Sequence, residues 1–207
     1  MGTFDRRMEI GATILLSVSA LGTSWAGYQA SLWSGNQIEL SYDASAIRTR
    51  ATRATTTAGL ERMVDVGLFT SWLEAYARHD TLYAKFLERR FRREFIPAFD
   101  AWIATKPAKT PNAPLTPFAM PEYHLAADDS ALQLDRLADR TANLGVAANR
   151  HGDAYVLDAV LFATAMVFGS ASQQDSNRKS MRLILIGLST LMCLVALVRI
   201  AISPSAL

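Results

Sequence analysis

Cysteine is nearly absent from this sequence of 207 residues, because Cys193 is the only one. A single cysteine excludes an intrachain disulfide and any metal site built from several thiolates. Familiar catalytic signatures are missing as well, since the chain contains neither a G-x-S-x-G nor an H-E-x-x-H pattern. We therefore expect no enzyme activity, no cofactor and no metal, and we expect Cys193 to serve in packing.

Charged residues are scarce, at 19% of the chain, and they largely avoid three long apolar runs. A bilayer core about 30 Å thick requires roughly 20 apolar residues of helix. The runs therefore predict transmembrane helices at 10–33, 154–171 and 181–203, with a polar loop at 172–180. Residues 1–9 form an N-terminal flank, and residues 34–153 form an extramembrane domain with helical periodicity. The predicted fold class is all-α, with transmembrane helices and a helical extramembrane domain.

The first apolar run has two interpretations. Ser24 and Ala26 have the small side chains that precede a signal-peptide cleavage site, so the run could be a secretion signal that is removed. The apolar sequence continues past that point to Trp33, and acidic residues precede it, which favours a retained helix. In a retained helix, Gly22, Ala26 and Ala30 recur every four residues and would let a second helix approach closely. The other interpretation of that spacing is the general abundance of small residues.

Basic residues near membrane ends indicate orientation, because they are retained in the cytoplasm. They precede the first run and surround the loop between the second and third runs: Arg6, Arg7, Arg178, Lys179 and Arg182. Both groups predict a cytoplasmic N-terminus in a multi-pass protein of the inner (plasma) membrane, with the domain 34–153 outside the cytoplasm. Further arginines near membrane ends weaken this prediction: Arg48, Arg50, Arg53 and Arg150.

The first helix is expected to continue beyond the bilayer as a stalk. After it, one apolar row at helical spacing predicts a buried helix face, made of Leu60, Val64, Leu68, Trp72 and Tyr76 and widened by Met63, Phe69 and Leu73. Asp80 or Thr81 is expected to cap a second helix with an aromatic-rich stripe up to Trp102. Because Pro97 interrupts this helix, a kink or a restart is expected there.

Proline is concentrated in one segment, since five of the seven prolines fall between residues 107 and 121. This predicts an extended, polyproline-like strap over 105–123 that lies against the helices. A helix capped by Asp128, Asp129 or Ser130 is expected to follow and to run on into the second apolar run. Gly145 and Gly152 are points where it could bend.

Three segments carry a resemblance to a known family. They are Trp25-Ala-Gly-Tyr-Gln-Ala-Ser-Leu-Trp-Ser-Gly-Asn-Gln37, Phe95-Ile-Pro-Ala-Phe-Asp-Ala-Trp102 and Pro117-Phe-Ala-Met-Pro-Glu-Tyr123. The chain, over most of its length, resembles a family of bacterial integral membrane proteins with three spans and no assigned activity. The resemblance implies a membrane location and a bacterial origin, and it implies no functional residue.

Two groups of charged residues are candidates for a site. Asp158 lies about one turn inside the second run and Arg199 about one turn from the end of the third, so a helical hairpin would bring them close enough to pair. Such a pair could line a polar path, or each charge could simply avoid apolar lipid. The basic run Arg89, Arg90, Arg92 and Arg93 could contact an anion or a lipid headgroup, or form a solvated helix face.

The three histidines, His79, His124 and His151, each lie within two residues of a carboxylate. They lack any fixed ligand spacing, so they are interpreted as unrelated surface residues rather than a metal site.

Two classes of function compete. The first is a structural or interaction (scaffold) protein of the bacterial envelope, whose aromatic faces bind a membrane-protein partner or another copy. The second is a homo-oligomeric channel or transporter accessory subunit, with Asp158 and Arg199 lining a path. An extracytoplasmic ligand sensor is a weaker alternative, since little of the chain would face the cytoplasm. The lipid bilayer is an expected partner, whereas a net charge of +2 gives no reason to expect a nucleic acid.

Overall fold

A computed structural model describes residues 3–174 and 179–206, with side chains over 9–173 and 180–206. Helices account for 83% of it, and the described residues contain no strand. In chain order the elements are α1 (Thr3–Ala77), α2 (Thr81–Glu88), α3 (Ile96–Ala104), a 3-10 turn (Pro117–Ala119), α4 (Ala126–Gln174) and α5 (Lys179–Ile202). The predicted all-α fold is confirmed, and α1, α4 and α5 are long and apolar enough to cross a membrane.

Some predicted features fall on residues that the structure does not describe. The polar loop predicted over 172–180 includes residues 175–178, which lie outside the described part of the chain. The same holds for the side chains of Arg6, Arg7 and Lys179, on which the predicted orientation depends.

α1 is one continuous helix of 75 residues. The first 96 residues contain no proline, so none of them lacks the backbone N–H that a helix requires. Threonine has a modest helix propensity, but its hydroxyl can bond to the carbonyl one turn earlier, as Thr56 Oγ1 does with Thr52 O at 3.0 Å. The predicted continuation of the first helix is therefore confirmed, since α1 extends without interruption to Ala77; where the bilayer ends along it stays a prediction.

The chain divides into two compact units. Met1–Asp43 and Arg140–Leu207 form the apolar unit, and Ala44–Asp139 form the aromatic unit. α1 and α4 contribute to both units, whereas α5 belongs to the apolar unit and α2 and α3 belong to the aromatic unit.

In the apolar unit, α4 packs against both α1 and α5. The ring of Phe162 on α4 lies directly over Gly22 of α1, where an added Cβ would be only 2.6 Å from it. On the other side, the Ser189 hydroxyl of α5 donates a hydrogen bond of 2.6 Å to the Ala165 carbonyl of α4. Cys193 is buried in the same core as Phe162, which confirms its predicted packing role.

Two further glycines of α4 face α1 closely. A Cβ at Gly145 would lie 3.5 Å from Leu40 Cβ, and a Cβ at Gly152 would lie 3.5 Å from Trp33 Cβ. α4 is continuous through both positions. The glycines predicted as bend points thus mark places where two helices approach each other.

The core of the aromatic unit is a cluster of rings from α1, α3 and the segments around them. Its buried aromatic members are Phe69, Trp72, Phe91, Phe95, Phe99 and Trp102, and Phe118, Met120 and Tyr123 of the strap pack against it. Most ring pairs meet edge to face, for example Trp72 with Phe99 at 4.8 Å between centroids, the arrangement that aromatic quadrupoles favour.

Two ion pairs join α1 to α4 within this unit: Arg48 with Asp139 at 2.8 Å and Arg62 with Asp128 at 2.5 Å.

The second predicted helix is two helices. Asp80 caps α2 as predicted, since its Oδ1 accepts from the Tyr83 N–H at 3.0 Å. The chain then leaves the helix at Arg89 and restarts as α3, with Pro97 in the first turn, where its missing N–H is tolerated. Phe91 and Arg92, although adjacent, both turn toward the interior. Neighbouring helical positions point about 100° apart, so this arrangement favours a non-helical backbone.

The strap lies against the helices as predicted, but its backbone is a series of turns rather than an extended polyproline helix. Its N–H groups bond to nearby carbonyls, as Lys109 does with Lys106 at 2.8 Å and Met120 with Pro117 at 3.1 Å. Proline fixes φ near −65°, which suits these turns equally well. α4 then starts at Ala126, before the predicted caps, which lie in its first turn or just after it.

The predicted buried face of α1 is confirmed at Phe69 and Trp72 and wrong at the exposed members of the row. Leu60, Met63 and Val64 are exposed, whereas Asp65 is fully buried together with Phe69. The side of α1 that faces the core passes through residues 58, 61, 65, 69, 72 and 75. The apolar pattern misplaced the buried side of the helix because that side contains two carboxylates, Glu61 and Asp65, which pair with a partly buried arginine.

Candidate binding site

The carboxylates of Glu61 and Asp65 pair with Arg92, which lies in the segment between α2 and α3. Its guanidinium contacts Asp65 Oδ2 at 2.9 Å and Glu61 Oε2 at 2.8 Å, both on α1, and it also pairs with Glu94. The Tyr123 hydroxyl of the strap donates to Asp65 Oδ2 at 3.2 Å. The cluster therefore joins α1, the α2–α3 connection and the strap around one cation.

Burial and charge shift the pKa values of this cluster. Burial raises the pKa of Asp65, more than its ion pair with Arg92 lowers it. Burial and the neighbouring Asp65 carboxylate raise the pKa of Tyr123 to about 12. Burial would lower the pKa of Arg92, but its carboxylate neighbours outweigh this effect and raise the pKa, so Arg92 is charged. The groups bind one another, and we interpret the cluster as a structural clamp.

A cavity of about 610 Å³ opens elsewhere in the aromatic unit. Trp72, Leu73 and Tyr76 of α1 and Trp102 and Ile103 of α3 form one part of its lining, and strap residues 106–111 and 113–115 form the rest. Binding sites for small molecules typically occupy about 300–1,000 Å³ and are lined by apolar and aromatic side chains. This cavity has that size and that lining, so it is the candidate binding site.

Hydrogen bonds fix the cavity walls in place. Trp102 Nε1 donates to the Pro114 carbonyl at 2.7 Å and so ties the strap to α3. Trp72 Nε1 donates to Glu88 Oε1 at 2.8 Å and so ties α1 to α2. Both indole N–H groups are used within the protein and both rings are almost fully buried, so the exposed apolar lining comes mainly from Leu73, Tyr76 and Ile103.

The predicted basic run does not act as one patch. Arg92 points inward, into the clamp, whereas Arg89, Arg90 and Arg93 are exposed. The Arg90 guanidinium stacks 3.5 Å over the Phe86 ring. The candidate contact for an anion or a lipid headgroup is thus reduced to three residues.

The predicted intramembrane pair does form. Arg199 Nε donates to Asp158 Oδ1 at 2.5 Å, with Asp158 fully buried and the Arg199 side chain 35% exposed. Each charge neutralises the other. The arrangement satisfies the requirement that charged groups in apolar surroundings be paired.

The predicted helix-packing face is occupied by the same chain. Gly22 lies under Phe162, Ala26 is fully buried, and the Ala30 carbonyl lies close to Gly152. The small residues let α4 approach α1, as small residues do between transmembrane helices.

The histidines have separate roles. His124 Nε2 pairs with Asp129 at 2.6 Å, the ring of His151 lies 4.7 Å from that of Trp33, and His79 ends α1 with φ of 59°. Among the described residues no group of three or more His, Cys, Asp or Glu side chains is arranged to hold a metal.

Sequence reasoning missed the clamp and the cavity. The sequence did contain one indication that Asp65 is buried: it stands one turn before Phe69 and two turns before Trp72 and thus shares their side of the helix. Nothing in the sequence indicated that Lys106 and Lys109 line the cavity, because the proline-rich segment that contains them has no periodicity. No protein-family model, curated protein or solved structure is significantly similar to this chain, and the resemblance drawn from its sequence stays a prediction.

Proposed function

We propose that this chain is an integral protein of a bacterial inner membrane with a non-catalytic role as an interaction (scaffold) protein. The observation that carries the proposal is an apolar patch on the outer side of α1. It consists of Leu60, Met63 and Val64, which are 60%, 72% and 51% exposed. Adjacent large apolar side chains exposed on a domain surface are characteristic of interaction sites.

The spacing of the patch indicates what it binds. Leu60, Met63, Val64 and Gly67 follow the i, i+3, i+4, i+7 pattern with which a helix enters a partner's groove or packs on another helix. A Cβ at Gly67 would meet only its own helix, with no other described atom within 4 Å, so a partner side chain has room there. We infer that the partner is a protein, bound through this side of α1.

The channel alternative receives less support. A homo-oligomeric path would use small-residue faces for assembly, and the face around Gly22 already contacts α4. Asp158 and Arg199 are bound to each other rather than open to a permeating ion.

A photo-crosslinking experiment tests the proposal. p-Benzoylphenylalanine replaces Met63 in cells, and Leu132, an exposed leucine on α4 in the same unit, is the control position. An adduct at twice the chain's mass identifies a second copy, and an adduct of another defined mass identifies a different protein. An absence of Met63 adducts above the Leu132 control would refute the proposal.

We further propose that the N-terminus is cytoplasmic and the aromatic unit extracytoplasmic. A cysteine at Asn112, which is exposed on the strap, is introduced in a Cys193→Ala background. Labelling by an impermeant maleimide in intact spheroplasts is expected. Labelling only after membrane disruption would indicate the opposite orientation, with the aromatic unit in the cytoplasm.

A further inference from the structure

Several polar side-chain groups in the wall of the aromatic unit's cavity already have partners within the protein. The N–H groups of Trp72 and Trp102 are bonded to Glu88 and Pro114, as described above. The Thr110 hydroxyl, also in the lining, donates to the Thr105 carbonyl at 2.9 Å. A ligand inside the cavity therefore meets mainly aliphatic groups and the Tyr76 ring, which select an apolar body.

Two cations line the same cavity. Lys106 and Lys109 belong to its lining, and the lining contains no carboxylate. Both lysines are exposed, and within the described part of the chain neither ammonium has an ion pair or a side-chain hydrogen bond. The charged donors in the described lining are thus two ammonium groups, and the exposed Tyr76 contributes a hydroxyl to the same lining.

Lys106 also adopts an unusual backbone conformation. Its φ is 55°, in the left-handed region, and its N–H bonds to the Ile103 carbonyl at 3.0 Å as α3 ends. This conformation is strained for a residue with a Cβ, whereas glycine adopts it freely. Helices often end in a residue with this conformation, as α1 does at His79, and at Lys106 it sets the direction in which the chain leaves α3 to form the cavity wall.

We propose that this cavity binds an anionic amphiphile: an apolar chain that ends in a carboxylate or a phosphate. The apolar chain lies against Leu73, Tyr76 and Ile103, and the anionic group is held by Lys106 and Lys109 through charge-assisted hydrogen bonds. A free acid and an anionic membrane lipid share this chemistry. The inference is independent of the protein partner proposed for the outer side of α1.

The experiment uses the full chain in phosphatidylcholine nanodiscs, with Cys193→Ala and a bimane label on Leu115→Cys. Leu115 lines the cavity and is 91% exposed, so the label reports on its contents. Octanoate, octanol and octylammonium are titrated below their micellar concentrations. A label on Leu132→Cys corrects for partition into the disc. We expect octanoate to bind at least about tenfold more tightly than octylammonium, because the two lysine ammonium groups attract the carboxylate of octanoate and repel the ammonium of octylammonium.

Lysine variants test the proposed charge contacts. Lys106→Gln/Lys109→Gln should weaken octanoate binding roughly tenfold and leave octanol within about twofold, as expected for two exposed charge contacts. Lys109→Gln alone, away from the left-handed position, should lose about threefold. Lys85→Gln is the matched control, because Lys85 is an exposed lysine of the same unit outside the cavity.

The outcomes separate clearly. Equal binding of all three amphiphiles, or octanoate binding that is unchanged in the lysine variants, would overturn the charge assignment. No binding of any amphiphile would overturn the site. If octanoate binds as expected and discs containing phosphatidylglycerol compete with it, the ligand is a membrane lipid; if they do not, it is a free acid.

Discussion

Replacing Arg92 by methionine should destabilise the aromatic unit strongly. The substitution removes the cation shared by Asp65, Glu61 and Glu94, and it leaves Asp65 fully buried without an ion pair. Breaking a buried pair by deleting one partner costs about 3–5 kcal/mol. Because the Arg92 side chain is 22% exposed and the two glutamates can turn to water, we expect the lower end, about 3 kcal/mol.

Hydrogen exchange of the full chain in nanodiscs measures this effect. Peptides covering residues 61–72 and 91–104 report on the core of the unit, and a loss of about 3 kcal/mol corresponds to exchange roughly a hundredfold faster. Arg93→Met is the matched control, because Arg93 is the adjacent arginine and is exposed. Its exchange should stay within about threefold of the wild type.

The destabilisation should also depend on pH. Burial has already raised the pKa of Asp65, and loss of Arg92 raises it further, so the carboxyl group takes up a proton more easily. A group with a raised pKa favours the folded state at low pH and loses that contribution as pH rises. The penalty in Arg92→Met should therefore be largest at neutral pH and shrink as pH falls toward 4. A penalty equal to that of Arg93→Met, or one that grows on acidification, would refute the clamp.

Three further predictions concern single residues. The pKa of Tyr123 is raised to about 12, so the free energy of unfolding should fall between pH 10 and 12, and Tyr123→Phe should remove this alkaline loss in denaturant titrations. Gly22→Ala places a Cβ 2.6 Å from the Phe162 ring and should cost about 1–3 kcal/mol in detergent thermal unfolding. Gly27→Ala, whose added Cβ would meet only its own helix, should be neutral, and Phe162→Leu should partly rescue Gly22→Ala. His79→Gly should stabilise by about 0.5–1 kcal/mol, since φ is 59° there, whereas His79→Ala should not.

Local signals in the sequence predicted much of the fold. Apolar runs of sufficient length predicted the three candidate spans, because spanning a bilayer depends mainly on the length of the apolar helix. The small residues around Gly22 predicted close helix packing, because small side chains let two helix backbones approach each other. Asp80 was predicted as a cap because a side-chain oxygen at a helix start satisfies a free N–H. The pairing of Asp158 with Arg199 followed from helix geometry and the cost of an isolated charge in apolar surroundings.

Features that depend on tertiary contacts could not be read in this way. Four arginines follow one another around Phe91, and only the break after α2 determines that Arg92, and not Arg93, points inward. The cavity depends on where the strap folds back, which Trp102 fixes through the Pro114 carbonyl. Neither contact has a periodic signature, because each joins segments that have different backbone conformations.

The clamp also explains why the apolar patch is exposed. Judged by apolar content alone, α1 would rotate to bury Leu60, Met63 and Val64. Glu61 and Asp65 lie on the other side of the helix, and their pairing with Arg92 fixes the rotation that leaves the patch outside. Replacing Asp65 by leucine and Arg92 by methionine together substitutes apolar contacts for the ion pair, which often restores stability. If the clamp sets the rotation of α1, this double variant should fold but lose crosslinking at Met63, whereas a variant that keeps the Met63 adduct would show that the aromatic core alone sets the rotation.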